Sequence, residues 1–289
     1  MIFCLYTDFG ALNSKPIFEA FANSLINAGH KVIYNEPYRV MDHYDNYDVA
    51  VIWSILWNGR MSRNKQVWDI NRKNNKPVIV LEVGGIQRGL TWKVGINGIN
   101  RKAFFGPTGN NSDRANLLGL KLKPWNKLRS GPILLCGQHD KSEQWTGMPS
   151  MTEWMDNTIS EIRKHTNRPI HIRPHPRCPV TISSNHKSVT VIRPQKLAGT
   201  YDDFNYNPED YFAVINWSSN PACQAVISGI PVFVGPDSLA YDVGNHSFDN
   251  IDDPIMPDRS QWLNDYAHTE YTQQEIADGL PLQNLTKAL

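Results

Sequence analysis

A chain of 289 residues with 40% hydrophobic and 20% charged residues is globular in composition, with apolar material for one large domain or two ordinary ones. No apolar segment approaches the roughly 18 residues of a membrane span, and no basic leader precedes the short apolar run at residues 1–6. The four cysteines, Cys4, Cys136, Cys178 and Cys223, form no CxxC pair, so reduced, buried thiols in a soluble cytoplasmic protein are expected rather than a zinc site. Net charge is +1, yet residues 201–289 hold fourteen Asp and Glu against Arg259 and Lys287, a balance of −12 that leaves +13 on residues 1–200. Such asymmetry points either to an acidic partner for the first part or to charges paired between domains.

Residues 1–6 read as a strand buried on both faces. A turn at Asp8-Phe9-Gly10 leads into helical periodicity over 16–29, stopped by Gly29. Strands follow at 31–34 and 47–53, then a helix over about 62–75 and a fourth strand at 77–81. Strands alternating with helices predict βαβ units and a parallel sheet. Regularity then breaks. From Glu82 to Pro132 the chain is rich in Gly, Asn and Pro, with Trp92, Phe104, Phe105 and Trp125 interspersed. The same stretch sets Arg101, Lys102, Arg114, Lys121, Lys123, Lys127 and Arg129 against Asp113. A long irregular segment in a compact protein is either functional or disordered, and the aromatic content favours function. A second α/β series starts at residues 133–137. It continues with a helix over about 151–165, strands ending at Ile172 and Ile192, and a strand ending at Asn216. A helix opened by Pro221 and stopped by Gly229 precedes a strand at 231–234, and short helices are predicted near 258–268 and 272–279.

Two stretches stand out for chemistry. Arg173-Pro174-His175-Pro176-Arg177 and Ser218-Ser219 each follow a predicted strand, and in an open α/β sheet loops at the carboxyl ends of strands converge on the ligand crevice. Two guanidinium forks, an imidazole, two hydroxyls and a helix start suit a phosphate or diphosphate. Ser218 or Ser219 is equally an ordinary helix N-cap. Glu82 ends an apolar strand at a Gly84-Gly85 turn, where a carboxylate can deprotonate a hydroxyl. Its alternatives are an ion pair with Arg88, or Asp8 as the working carboxylate. Asp8-Phe9-Gly10 does not open a G-x-G-x-x-G fingerprint and no P-loop is present, which argues against NAD, FAD and NTPase chemistry. Asp202-Asp203 reads as a solvated acidic pair rather than a metal site.

These residues carry a resemblance. Two α/β halves, the Arg-Pro-His-Pro-Arg run and the Ser-Ser pair look like GT-B glycosyltransferases that have an HP motif and a Ser-rich motif, as in bacterial sialyl- and capsule-type transferases. Residues 224–234 are similar to the "EA…G.PV" segment of GT-B donor domains, with Gln224 where Glu is common. The runs 81–85 and 95–101 and the ending at 253–279 resemble phage DNA-modifying glycosyltransferases. The resemblance implies an α/β fold of two Rossmann-like domains: 1–130 for the acceptor, 131–255 for a nucleotide sugar, and helices over 256–289 returning to the first. It implies a metal-independent inverting or retaining transferase, with a UDP-sugar as co-substrate. Gln138, Arg173, His175, Arg177, Ser218, Ser219 and Gln224 would hold the donor, and Glu82 and His175 would be catalytic. Asp8, Arg88, Asn97, Arg101 and Lys102 would face the acceptor. The acceptor it favours is a 5-hydroxymethylpyrimidine in phage double-stranded DNA, supported by the basic, aromatic 86–130 segment. The alternatives are a capsule or surface-polysaccharide transferase and a non-catalytic nucleotide-sugar or DNA-binding module. No membrane partner is expected.

Overall fold

A computed structural model describes residues 1–35, 46–127, 130–200 and 203–289. Arg129 and Asp202, named above, lie outside the described residues. The chain divides into two compact units, Met1–Asn110 with Lys141–Glu143 and Asp265–Leu289, and Asn111–Asp140 with Gln144–Asn264. The first unit therefore gives way at Asn110, ahead of the boundary expected at 130, and takes the chain back at Asp265.

The first unit is built on a six-stranded sheet. Its strands are β1 (Ile2–Leu5), β2 (Lys31–Tyr34), β3 (Val49–Trp53), β4 (Val78–Val83), β5 (Thr91–Ile96) and, from the far end of the chain, β11 (Glu270–Thr272), in the order β11-β5-β4-β3-β1-β2. The β2-β1-β3-β4 block is parallel, while β5 and β11 are added antiparallel. Strands buried on both faces read as continuous apolar runs, and β3 is buried at every position. Helix α1 (Lys15–Asn27) lays Ile17, Phe21 and Leu25, spaced by four residues, into the core on one face of the sheet. The short helices α7 (Gln273–Ala277) and α8 (Leu280–Leu285) add Ile276, Leu282 and Leu285 to that core, and α7 opens on a capping box between Thr272 and Glu275. Helix α2 (Asn64–Lys73) covers the other face with Val67 and Trp68.

The strand β5 was read from sequence as irregular. Trp92, Val94 and Ile96 do alternate, but the opposite register positions are Thr91, Lys93 and Gly95, and a Lys buried in mid-sheet hides the pattern.

The second unit holds a five-stranded, all-parallel sheet of β6 (Ile133–Cys136), β7 (Ile170–Arg173), β8 (Val189–Val191), β9 (Ala213–Asn216) and β10 (Val232–Val234), ordered β10-β9-β6-β7-β8. Helix α3 (Asp113–Leu117) precedes the sheet, α4 (Met151–Ile162) links β6 to β7, α5 (Pro221–Ile227) links β9 to β10, and α6 (Ser260–Tyr266) follows. From β6 the chain winds outward through β7 to β8, then returns to the other side of β6 at β9. The topological switch point, where doubly wound sheets bind ligands, thus lies between β6 and β9. All four cysteines are free and buried, with burial pushing the Cys136 thiol up to about 12 and the Cys4 thiol up to about 11. Among the described residues no helix is long and apolar enough to cross a membrane.

Candidate functional site

At the switch point of the second unit the loops after β6, β7 and β9 meet. Gly137 leaves β6 so close to β7 that an added Cβ would sit 3.3 Å from the His175 backbone nitrogen and 2.7 Å from Met155 Cε. Gln138 and His139 follow it, both buried. The Gln138 Oε1 accepts from the Ser218 backbone N–H and lies 3.1 Å from the Ser218 Oγ, which also lies 3.1 Å from the Gln144 Oε1. One hydroxyl proton serves one acceptor at a time, so the two glutamines share Ser218. The His139 and His175 rings meet edge to face at 5.4 Å. The Nδ1 of His175 accepts from the Arg177 backbone N–H at 3.1 Å, which leaves Nε2 to carry the proton of the neutral ring. His175 is thereby set up as a hydrogen-bond donor.

Four buried polar atoms near this corner have no hydrogen-bond partner: Asn216 Oδ1, Trp217 Nε1, Ser219 Oγ and Gln144 Nε2. Each such group costs about 1–3 kcal/mol when left unpaired, so a cluster of them in one place marks polar ligand or solvent contact. Gly235 is required here, because its Cβ would lie 2.4 Å from the Trp217 ring.

The sequence-derived donor set is only partly drawn together. Arg173, the last residue of β7, is paired in register with Cys136; its guanidinium donates to the Asn205 carbonyl at 3.1 Å and lies 5.4 Å from the Tyr206 ring centroid. It serves the 203–206 segment. Arg177 lies exposed at the loop tip, and Gln224 is partly buried one turn into α5. The cap of α5 is Asn220 rather than either serine, and at seven residues the helix supplies little macrodipole to an anion. Sequence reading missed His139 and Gln144. The only signal for His139 was its position directly after an apolar strand.

In the first unit Glu82 sits at the carboxyl end of β4, partly buried. Its Oε1 accepts from the Val83 N–H at 2.8 Å, and the Ser54 hydroxyl bonds it too. Burial holds its carboxyl above the usual range, against the lowering pull of the Ser54 and Val83 hydrogen bonds and of the Lys93 and Arg88 charges. Ser54, buried at the end of β3, takes a left-handed backbone with φ of 65°. A non-glycine residue held there signals strain, and strain gathers at functional sites.

Asp8 shares this carboxyl-end rim, two strands and about 10 Å from the line of β4. It lines an open depression of about 270 Å³ with Phe9, Gly59, Arg60, Ser62 and Arg63. Arg88 stands in the loop after Glu82, near enough for its charge to act on it. Asn97, Arg101 and Lys102 are placed apart from Glu82. Asn97 turns at φ of 59° and bonds both backbone groups of Val78, at the amino end of β4. Arg101 and Lys102 follow in the next turn. Because β5 runs antiparallel to β4, all three lie at the opposite end of the sheet from Glu82.

The basic, aromatic segment is not one continuous unit. It divides between the two units at Asn110. Lys93 and Arg114 are buried, and Lys123 is ion-paired with Glu209. Phe104 packs on the core of the first unit, Phe105 covers Gly95, and the Arg259 guanidinium lies over the Trp125 ring at 3.7 Å. Those aromatics are packing residues.

No protein-family model matches the chain, and no curated protein matches its sequence. Among solved structures it is similar to KpsC of Thermosulfurimonas dismutans, a β-Kdo 2,7-transferase, with a TM-score of 0.51 and 14% identity over 98% of this chain and 100% of that one. Two further likenesses are too distant to carry an argument. They are SnogD, a glycosyltransferase of Streptomyces nogalater (TM-score 0.28, 10% identity, 99% and 94% covered), and aspartate transcarbamoylase of Trypanosoma cruzi (TM-score 0.26, 11% identity, 96% and 81% covered). The fold is α/β, two parallel-rich sheets and their helices, and it is similar to that of KpsC.

Proposed function

We propose that the chain transfers a sugar from a nucleotide donor, a UDP-sugar in our reading, to a hydroxyl group. The observation that carries this is the meeting of Gln138, His139, His175 and Ser218 at the switch point of a parallel sheet, in a chain that shares its fold with a β-Kdo 2,7-transferase along its whole length. The donor diphosphate would lie against the 217–220 loop, with Ser219 Oγ and the Gln144 amide among its contacts. The His175 Nε2–H and the Arg177 guanidinium would stabilise the leaving phosphate, the largest electrostatic task of the reaction. Arg173, despite its Asn205 bond, keeps further N–H donors in its fork. Glu82 would take the proton of the acceptor hydroxyl as its oxygen bonds to the anomeric carbon. The bond from that carbon to the diphosphate oxygen breaks, and UDP leaves with the electron pair. A carboxyl held above its usual range is the better base near neutral pH, and general bases contribute about 10²–10⁴-fold.

Two acceptors compete. A saccharide hydroxyl, as on a surface polysaccharide, is supported by the likeness to KpsC. A hydroxymethylpyrimidine in duplex DNA is supported by the +13 balance over residues 1–200, weakened by the burial of Lys93 and Arg114. The test is a panel of UDP-sugars against hydroxymethylcytosine duplex, hydroxymethyluracil duplex and a set of oligosaccharides, with products weighed by mass spectrometry. A sugar increment on one acceptor class identifies it. UDP release without any increment keeps the donor and discards both acceptors, whereas silence in every channel sinks the transferase.

A further inference from the structure

The unusual feature of the first unit is a row of charge inside a sheet. Glu82 on β4 is the register partner of Lys93 on β5, and Lys93 is the register partner of Glu270 on β11. Directly opposed residues share a face, so the three stand side by side across three strands. Lys93 and Glu270 are buried, Glu270 completely.

Glu270 is bound to the loop that leaves Glu82. Its Oε1 accepts from the Gly85 N–H at 2.7 Å, and its Oε2 from the Ile86 N–H at 2.9 Å and the Thr91 hydroxyl at 2.8 Å. Thr91 in turn accepts the Gly84 N–H on its carbonyl and the Gln87 N–H on its Oγ1. The carboxylate therefore fastens both the exit and the return of the 84–90 loop. Gly84 has no room for a side chain, since a Cβ would lie 2.2 Å from Glu270 Oε2 and 2.4 Å from the Thr91 carbonyl. Ion-assisted hydrogen bonds of this length are strong and directional, and a buried carboxylate is tolerated only where its acceptor sites are used. Two loop amides and the hydroxyl of the first residue of β5 meet that condition.

We propose that Glu270 is a positioning residue: by clamping the 84–90 loop against β5 it fixes the backbone that aims Glu82 at the acceptor hydroxyl. The inference rests on the reading of Glu82 as the base. It gives the three-residue strand β11 a purpose beyond closing a sheet, since a segment some 185 residues away in sequence sets the geometry of the β4 terminus.

The experiment compares wild type, Glu270→Gln, Thr91→Val and Glu82→Gln. Amide hydrogen exchange is followed by NMR, and turnover with the UDP-sugar panel on hydroxymethylated duplex and oligosaccharides. Gln at 270 keeps one acceptor oxygen and turns an NH₂ towards a backbone N–H, so protection at Gly85 or Ile86 should fall at least tenfold while Val80 stays protected. Turnover should fall about 10–100-fold with donor KM within twofold, the split that a general loss of folding would not give. Thr91→Val removes one donor to Glu270 and the acceptor of the Gln87 N–H, and should lose roughly threefold in kcat with the same split, which keeps the test alive if Glu270→Gln does not fold. Unchanged kcat in both variants, with Glu82→Gln inactive, overturns the positioning role alone. Wild-type turnover in Glu82→Gln overturns the base and the clamp together.

Discussion

Replacing Glu82 by Gln should cut turnover sharply and raise stability relative to the wild type as pH rises. Burial raises the Glu82 carboxyl in the folded state, so between its ordinary value of about 4.3 and its folded value the native protein holds a proton that the unfolded chain has lost. Stability from this group is complete below the unfolded value and declines as pH climbs through the folded one. That elevation makes the ionised native state less stable relative to the unfolded chain. Gln has no such term. Its amide oxygen can keep the Val83 N–H bond now made at 2.8 Å, and the Ser54 hydroxyl can reverse to accept from the amide NH₂. Any mismatch there costs about 1 kcal/mol at every pH, so the variant gains on the wild type as pH rises, at roughly 2–4 °C per kcal/mol. Calorimetric Tm of both proteins from pH 4 to 8.5 reads it: the Tm difference should shift steadily towards the variant as pH rises, while kcat falls about 10²–10⁴-fold. A Tm difference that is flat with pH, or that shifts towards the wild type as pH rises, refutes the burial argument.

Gly84→Ala pushes a Cβ to 2.2 Å from a carboxylate pinned by three donors; urea unfolding should show a loss of about 1–3 kcal/mol, and a neutral result would mean that the loop is free to move. Ser218→Ala removes a buried hydroxyl between Gln138 and Gln144; calorimetric titration with UDP should weaken about tenfold, and intact UDP affinity would take Ser218 out of the donor site. His175→Gln keeps a donor without a proton-carrying ring; kcat should fall about 10–100-fold with Tm within about 2 °C, and a larger Tm loss would make the His139–His175 pair a packing feature.

How much was legible in the sequence depended on burial pattern. The β1, β3 and β6 strands announced themselves as unbroken apolar runs because both their faces are covered. The Ser218 and His175 loops were found because they follow such runs, and Glu82 for the same reason. What stayed hidden depended on register. Lys93 reads as a surface cation until β5 is seen lying between two carboxylate-bearing strands. Glu270 opens a strand of three residues whose meaning comes only from its partners. Asn97 looks like a polar loop residue suited to ligand contact, yet its left-handed turn spends both its amide oxygen and its backbone N–H on Val78. Arg173 likewise has the chemistry of a phosphate fork, and only alternation along β7 turns it towards Cys136 and Tyr206.

In each unit, polar irregularities stand at the carboxyl ends of parallel strands. In the first unit the strained Ser54 and the raised Glu82 both stand at carboxyl ends of parallel strands. In the second, the unpaired atoms of Asn216, Trp217 and Ser219 stand at the carboxyl end of β9. Positive φ also occurs at amino ends, at Asn75 before β4, at Ser188 before β8 and at Asn97 beside the start of β4, where the Asn97 polar groups are bonded in the turn. Parallel sheets direct their loops so that ligands meet the carboxyl ends, and local rules are broken where function requires it. This separates Glu82 from Glu270, although both lie in one row with Lys93: Glu82 stands partly buried at the carboxyl end of β4, whereas Glu270 is fully buried and holds the Gly85 and Ile86 N–H groups and the Thr91 hydroxyl. The first should therefore govern the chemical step directly, and the second only through the first.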